Sequence, residues 1–218
     1  PRLESRFDLL RRIDVSKSAT SAERRYDEFQ RKAFELVCGP DAKRAFELNR
    51  EQDCLRDRYG RHPLGQYLLM ARRLIESGVR LVTVAGWPGL APGETVPTPV
   101  QVWDTHDAYY SGSDNMYGSG PYGMQWALPR LDQALSALLD DLAQRGLLDE
   151  TLVVAVGEFG RTPKFEGKGR GRGHWPQCYT SFLAGGGVRP GMIYGSSDSQ
   201  GAYVASGRPI SHIDFGAT

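Results

Sequence analysis

The sequence predicts an α/β protein in which a parallel-rich sheet is flanked by helices and preceded by a helical segment. Two apolar, β-branched runs, at residues 79–85 and 151–156, are typical of buried strands. Between them, residues 125–145 carry a stripe of leucines at helical spacing, and Gly146 follows. Because a strand–helix–strand order is almost always a right-handed crossover between parallel strands, we expect a parallel sheet.

The first part of the chain, residues 1–77, is charged and helix-prone. Its apolar residues recur at helical spacing, at Leu3, Phe7, Leu10 and Ile13 and again at Tyr26, Phe29, Ala33, Phe34 and Val37. A further helix is predicted over about residues 64–77, with Gly78 ending it. We therefore divide the chain into a helical segment, 1–77, that packs on or is inserted in the core, and an α/β metal-site domain, 78–218, present as an incomplete C-terminal part.

The remaining segments follow the same organisation. Residues 86–99 contain four prolines, and residues 111–123 are rich in Gly, Ser and Tyr, so both are predicted loops. Residues 179–184 form a third strand-like run that ends at three consecutive glycines. The chain is thus expected to contribute at least three strands.

Composition excludes several classes of protein. With 40% hydrophobic and 24% charged residues, the 218-residue chain is ordinary for a globular domain. A net charge of +1 gives no overall attraction to nucleic acid, and no apolar run is long enough to span a membrane. The three cysteines lack Cys-x-x-Cys spacing, which argues against a zinc ribbon or a redox motif.

The first candidate site follows the first predicted strand. Asp104 and His106 are two residues apart, so in an extended segment both side chains point to the same side. A carboxylate oxygen and an imidazole nitrogen together suit zinc, manganese or iron. The competing interpretation, which an isolated Asp-x-His favours, is an Asx-turn at Asp104 beside a surface histidine.

The second cluster follows the strand at 151–156. Glu158 stands at the end of that strand, between Gly157 and Gly160, whose lack of a side chain allows backbone to approach a ligand closely. The carboxylate either binds a metal or substrate or forms a structural pair with Arg161. If Arg161 is not so engaged, its planar guanidinium could hold a phosphate or sulfate.

The third candidate is His174, which lies among glycines. Lys164, Lys168, Arg170 and Arg172 surround it in sequence and would attract an anionic substrate. The alternatives are a packed loop histidine and a solvated basic loop. Of the four histidines in the chain, His106 and His174 fall within the polar clusters, which strengthens the metal interpretation.

These motifs resemble a bacterial domain-of-unknown-function family that is abundant in planctomycetes and belongs to the alkaline-phosphatase/sulfatase-like superfamily. The resemblance covers about residues 50–218 well and the first 50 more loosely. The motifs that carry it are Trp103-Asp104-Thr105-His106, Gly157-Glu158-Phe159-Gly160-Arg161-Thr162-Pro163, Gly171-Arg172-Gly173-His174-Trp175-Pro176, Leu183-Ala184-Gly185-Gly186-Gly187, Tyr59-Gly60-Arg61-His62 and the segment 71–80.

The resemblance implies an alkaline-phosphatase-like fold and a two-metal hydrolase of phosphate or sulfate esters. It places Asp104, His106 and His174 on one metal, Glu158 on a second, and Arg161 on the substrate anion. The mixed nitrogen and oxygen ligands favour zinc or manganese over calcium. The implied substrate is an anionic small-molecule or polysaccharide ester, and because relatives are often exported, the implied location is periplasmic or secreted.

The chain departs from this family in three ways. Gly173 stands where relatives usually carry an acidic residue, and Asp107 replaces a common glycine and opens a longer insertion. The strand expected to carry the nucleophile and a further metal carboxylate is absent, so the chain is expected to be a fragment that is inactive or nearly so. The alternative functions are a non-catalytic binding or surface-associated module with a degenerate site, and a metal-dependent mutase acting on a phosphorylated sugar acid.

Overall fold

A computed structural model describes residues 39–95, Trp103, 124–166 and 171–210, with isolated positions between 5 and 34. The helices are α1 (Pro40–Ala45), α2 (Asp53–Tyr59), α3 (Pro63–Glu76) and α4 (Met124–Gln144), with single 3₁₀ turns at Leu48–Arg50 and Leu148–Glu150. The strands are β1 (Val153–Ala155), β2 (Gly160–Arg161), β3 (His174–Trp175), β4 (Phe182–Ala184), β5 (Ser196–Ser197) and β6 (Val204–Ser206). The coarse expectation of mixed helices and strands is met.

Helix α3 begins and ends as its sequence indicates. The His62 side chain caps its first turn by accepting a hydrogen bond from the Gly65 amide, and Pro63 supplies the fixed φ that suits the first helical position. At the other end, Gly78 has a φ of +92°, and the Val79 amide bonds back to the Leu74 carbonyl. The helix predicted over residues 64–77 is therefore present, one residue longer at its start and one shorter at its end.

Helix α4 buries small residues along the face that meets the other helices. Ala127, Ala134 and Ala137 are almost inaccessible, as are Leu138 and Leu142 of the predicted leucine stripe. Leu128, which the stripe placed inside, is half exposed. Small alanine side chains on this face leave room for neighbouring helices to pack close to the α4 backbone. The buried face of α4 therefore includes the alanines and only part of the leucine stripe.

The main core lies between α2, α3 and α4. Its buried members are Tyr59, Leu69, Ala137, Leu138 and Leu142, and partly buried residues that include Leu55, Leu147, Leu148 and Val153 pack around them. The predicted helical segment thus packs against an element that follows residue 78 in the chain. The division at residue 77 stays a prediction.

A buried ion-pair cluster joins the same helices. The Arg72 side chain is 1% exposed, and its nitrogens lie 2.8 Å from Asp141, 2.9 Å from Glu51 and 2.7 Å from Glu76. The Asp141 contact, made by Nε, is an ion pair at an angle unsuited to a hydrogen bond. Asp141 also accepts a hydrogen bond from the Tyr59 hydroxyl at 3.0 Å, so two acidic side chains inside the core have cationic or hydroxyl partners.

The strands described form three two-stranded antiparallel sheets, β1–β4, β2–β3 and β5–β6. In the first, Val153 pairs with Ala184 and Ala155 with Phe182. The turn after β4 is close to the chain before β1, since the Gly186 amide donates to the Leu148 carbonyl at 2.9 Å. The third predicted strand is therefore confirmed in its last three residues.

The prediction of a strand at residues 79–85 is wrong. These residues form no strand, and Leu81 is 83% exposed. A β-branched run becomes a strand only when a neighbour satisfies its backbone hydrogen bonds, and within the described residues no strand does so. The parallel crossover expected from this run is consequently not seen. None of the described helices is long and apolar enough to cross a membrane.

Candidate active site

The pairing of β2 with β3 brings together two of the three polar clusters. Gly160 lies opposite Trp175, and Arg161 lies opposite His174, in an antiparallel pair. Residues from the segment after β1 and from the glycine-rich segment therefore meet on one hairpin. The sequence predicted both clusters as site-forming, and their direct pairing comes from the structure.

Thr162 extends this hairpin beyond the two strand pairs. Its amide donates to the Gly173 carbonyl at 3.1 Å, and its hydroxyl accepts from the Gly173 amide at 3.1 Å. Farther along, the Glu166 amide donates to the Gly171 carbonyl at 2.8 Å. Both backbone groups of the residue preceding His174 are thus held by one threonine, which fixes where β3 starts. Nothing in the sequence alone marks Thr162 for this role.

Gly160 is required by close packing. A Cβ atom at this position would lie 2.3 Å from the Cys178 carbonyl oxygen and 2.8 Å from that of Trp175. Any larger residue would separate β2 from the chain that follows β3. On β3, the Trp175 indole donates to the Ala202 carbonyl at 2.6 Å and meets the Tyr203 ring edge-on at 5.6 Å, so the hairpin is anchored to residues 202–203.

Phe159 supports both basic side chains of the hairpin. Its ring centre lies 4.1 Å from that of the His174 imidazole, with 39° between the planes. The Arg161 guanidinium carbon lies 5.5 Å from the centre of the same ring. The imidazole is exposed and Arg161 is partly buried, so both can meet a ligand from solvent while resting on one aromatic surface.

Glu158 is exposed in the bend that leads into β2. It is thus at the edge of the hairpin that carries Arg161 and His174. Its role on a metal or substrate and its alternative role in an ion pair with Arg161 both stay predictions.

A carboxylate lies beside Gly173, the position at which the family resemblance implies an acidic residue. A Cβ at Gly173 would be 2.7 Å from Glu166 Oε2, so the Glu166 carboxylate fills the space that a side chain at 173 would use. The sequence alone does not mark Glu166, because it lies seven positions before Gly173 and only the hairpin brings the two together.

The basic patch expected around His174 is described in part. Lys164 is exposed, whereas Arg172 is partly buried with its guanidinium 4.8 Å from the Phe165 ring centre. Lys168 and Arg170 lie outside the described residues.

Asp104 and His106 also lie outside the described residues. Their neighbour Trp103 is described, and its indole donates a hydrogen bond to the Gly86 carbonyl. Within the residues that the structure does describe, no three His, Cys, Asp or Glu side chains are grouped closely enough to hold a metal ion. The predicted ligand set of Asp104, His106, Glu158 and His174 therefore stays a prediction.

Comparison with known proteins gives a family and no function. No curated protein matches the chain. No solved structure matches it either. A family model described as "Protein of unknown function (DUF1501)" matches residues 2–218, nearly the whole sequence, and the chain therefore belongs to this family.

Proposed function

We propose that this chain provides part of a metal-dependent hydrolase that cleaves phosphate or sulfate esters. The observation that supports the proposal is the β2–β3 pairing, which puts Arg161 opposite His174 and Glu158 at the edge of the same hairpin. An oxyanion contact, an imidazole and a carboxylate are the groups that such a site needs. The substrate would be an anionic small molecule or a polysaccharide ester.

The donor chemistry of these residues fits zinc or manganese. His174 offers a nitrogen and Glu158 offers oxygens, and both side chains are exposed. The remaining ligands in this proposal are Asp104 and His106. When bound, the metal would polarise the ester and stabilise the negative charge that develops on its oxygens.

The chain's own residues would orient the ester. Arg161 would bind two non-reacting oxygens of the phosphate or sulfate group through a pair of parallel N–H···O hydrogen bonds. Phe159 would restrict the motion of both Arg161 and His174, because each is packed against its ring. Limiting these rotamers before the substrate arrives reduces the entropy lost on binding.

The proposal includes the parallel-rich, alkaline-phosphatase-like sheet that the resemblance implies. The described strands pair antiparallel, so such a sheet would require partners outside the described residues.

The experiment is elemental analysis of the purified chain after exposure to zinc and manganese and removal of loose metal. The parent is compared with His106→Ala and His174→Ala, and His212→Ala serves as the matched control because no role is assigned to His212. We expect the parent and the control to retain metal and both test variants to lose it, since each ligand is needed for tight binding.

Two results would contradict the proposal. Metal content that is unchanged in His106→Ala and His174→Ala would remove these residues from the site. A parent that retains no metal would favour the alternative of a non-catalytic binding or surface-associated module. Circular dichroism of each variant separates loss of a ligand from loss of folding.

A further inference from the structure

Gly173, the residue before His174, is held by both the backbone and the side chain of Thr162. The Thr162 amide donates to the Gly173 carbonyl at 3.1 Å, and the Gly173 amide donates to the Thr162 hydroxyl at 3.1 Å. In a regular antiparallel pair the Gly173 amide would instead donate to the backbone carbonyl of residue 162. The hydroxyl takes the place of that carbonyl, so a side chain extends the β2–β3 pairing beyond its two strand pairs.

The Thr162 hydroxyl is itself fixed in direction. It donates to the Lys164 carbonyl at 3.0 Å. A hydroxyl has one proton and two lone pairs, so an oxygen whose proton is directed at Lys164 meets Gly173 as an acceptor. Valine at position 162 would keep the shape of the side chain and remove this acceptor, whereas serine would keep the hydroxyl.

The two hydrogen bonds to Gly173 hold two consecutive peptide planes. The Gly173 carbonyl belongs to the planar unit that contains the His174 nitrogen, and the Gly173 amide belongs to the preceding unit. Because the two planes meet at the Gly173 Cα, holding both of them fixes φ and ψ at this residue. Glycine has the widest choice of φ and ψ, so the constraint removes more freedom here than it would at any other residue type.

The conformation of Gly173 sets the direction in which β3 starts, and with it the origin of the His174 side chain. His174 pairs with Arg161 across the hairpin, and its ring centre lies 4.1 Å from that of Phe159. A side chain at position 173 could not restrict the backbone in the same way, because its Cβ would lie 2.7 Å from the Glu166 carboxylate. The restriction comes from the opposite strand instead.

We propose that Thr162 is a positioning residue for His174. By fixing Gly173, its hydroxyl holds the imidazole beside Phe159 in the orientation in which the ring binds a metal ion. The inference rests on the proposed function, in which His174 is a metal ligand. A ligand that is already held in place loses less conformational entropy on binding, so removal of the hydroxyl weakens metal affinity even though every ligand atom remains.

The first measurement follows the His174 ring by NMR in the metal-free chain. The aromatic ring current of Phe159 displaces the chemical shifts of the His174 ring protons, and their signals are identified by their absence from His174→Ala. Thr162→Val should move these signals toward those of an unstructured histidine, because the Gly173 amide loses its acceptor. Thr162→Ser should retain the shifts of the parent. The ring signals of His62, which caps α3, are the internal control and should not move.

The second measurement is zinc affinity, determined by competition with a chromophoric chelator. We expect Thr162→Val to bind zinc about five- to tenfold more weakly, as the loss of one hydrogen bond predicts, and Thr162→Ser to bind like the parent. Ser196→Ala is the matched control, since it also removes a hydroxyl hydrogen bond, the 2.7 Å bond to Ser206, but outside the hairpin. It should change neither the zinc affinity nor the His174 signals. Circular dichroism without denaturant verifies that each variant is folded.

Four results would overturn the inference. Unchanged His174 shifts in Thr162→Val would show that Thr162 does not place the ring. An unchanged zinc affinity in the same variant would show that this placement has no effect on binding. Equal losses in Thr162→Ser and Thr162→Val would exclude the hydroxyl as the cause. Movement of the His62 signals together with those of His174 would mean a general change of structure.

Failure of the inference is distinguishable from failure of the proposed function. A parent chain that binds no zinc would reject the metal site and this inference together. A parent that binds zinc and loses it in His174→Ala, while Thr162→Val behaves like the parent, would reject this inference alone.

Discussion

Arg161 and His174 lie directly opposite each other in the antiparallel β2–β3 pair. Side chains at opposed positions project to the same face of a sheet, and so does a residue two positions away along the strand. Phe159 is two positions before Arg161 in the chain but lies in the bend that precedes β2, and its ring contacts both the guanidinium and the imidazole. Strand register thus opposes Arg161 and His174, and the bend places the aromatic ring beside both.

The first prediction concerns Thr162, whose hydroxyl accepts a hydrogen bond from the Gly173 amide. Thr162→Val should lower the free energy of unfolding by about 1 kcal/mol, because the amide loses its acceptor and the shape of the side chain is preserved. Urea denaturation followed by circular dichroism measures the change. Thr162→Ser, which keeps the hydroxyl, is the control and should recover most of the loss. Equal stability of the Val variant and the parent would show that water replaces the hydroxyl at no cost.

The second prediction concerns the carboxylate beside Gly173. Gly173→Asp should destabilise the chain by up to about 1 kcal/mol, because it adds a negative charge next to Glu166. Gly173→Asn has nearly the same size without the charge and should cost less. Adding Glu166→Gln to Gly173→Asp should restore part of the loss, and a double-mutant cycle measures that coupling. A coupling energy of zero between the two substitutions would mean that the carboxylates at positions 166 and 173 are not close together in solution.

The third prediction concerns the buried Arg72. Arg72→Met should lower the free energy of unfolding by about 2–3 kcal/mol, since it removes the hydrogen bonds of Arg72 to Glu51 and Glu76 and its ion pair with Asp141, while Asp141 keeps Arg145 and Glu51 keeps Arg73 as partners. Arg50→Met is the matched control: Arg50 is exposed and pairs only with exposed Glu47 among the described contacts, and we expect about 0–1 kcal/mol. Chemical denaturation measures the free energy of unfolding of both variants and of the parent. Similar losses in the two variants would contradict the structural role assigned to Arg72.

The fourth prediction is a pH dependence that comes from His62. Its pKa is lowered in the folded chain from an ordinary value of 6.5, so the unfolded chain binds a proton more readily. Its contribution to stability is complete above pH 6.5 and decreases as the pH falls toward the folded pKa.

Denaturation series of the parent and of His62→Asn between about pH 8 and pH 5 test this dependence. The difference in unfolding free energy between them should change as the pH falls below the unfolded pKa, with the parent losing more stability. Parallel curves would show that the folded and unfolded states bind the His62 proton equally. Because the other three histidines are present in both proteins, their titration cancels in the comparison.

Several elements could be predicted from local sequence. Pro63 and Gly78 mark the ends of α3, and the leucine stripe identifies α4, because caps and helical periodicity are properties of a few neighbouring residues. Residues 79–85 mark the limit of this reasoning. The run has strand composition, yet a strand also needs a hydrogen-bonding neighbour, and the composition of the run alone does not say whether one is present.

The candidate site shows the same division. Glu158, Arg161 and His174 could be selected from the sequence, since glycine-flanked polar residues after apolar runs mark strand ends. The roles of Thr162 and Glu166 and the burial of His62 could not be predicted, because they depend on residues that are distant in the sequence and close only in the fold.

The sequence by itself determined the helix ends, the apolar runs and the family of this chain. Only the tertiary structure decided that Arg161 opposes His174, that Glu166 fills the space beside Gly173, and that His62 is buried. The physical reason is the separation along the chain over which each kind of interaction acts. Capping and periodicity act over a few residues along the chain, whereas strand register, desolvation and ion pairing depend on segments that meet only after the chain has folded.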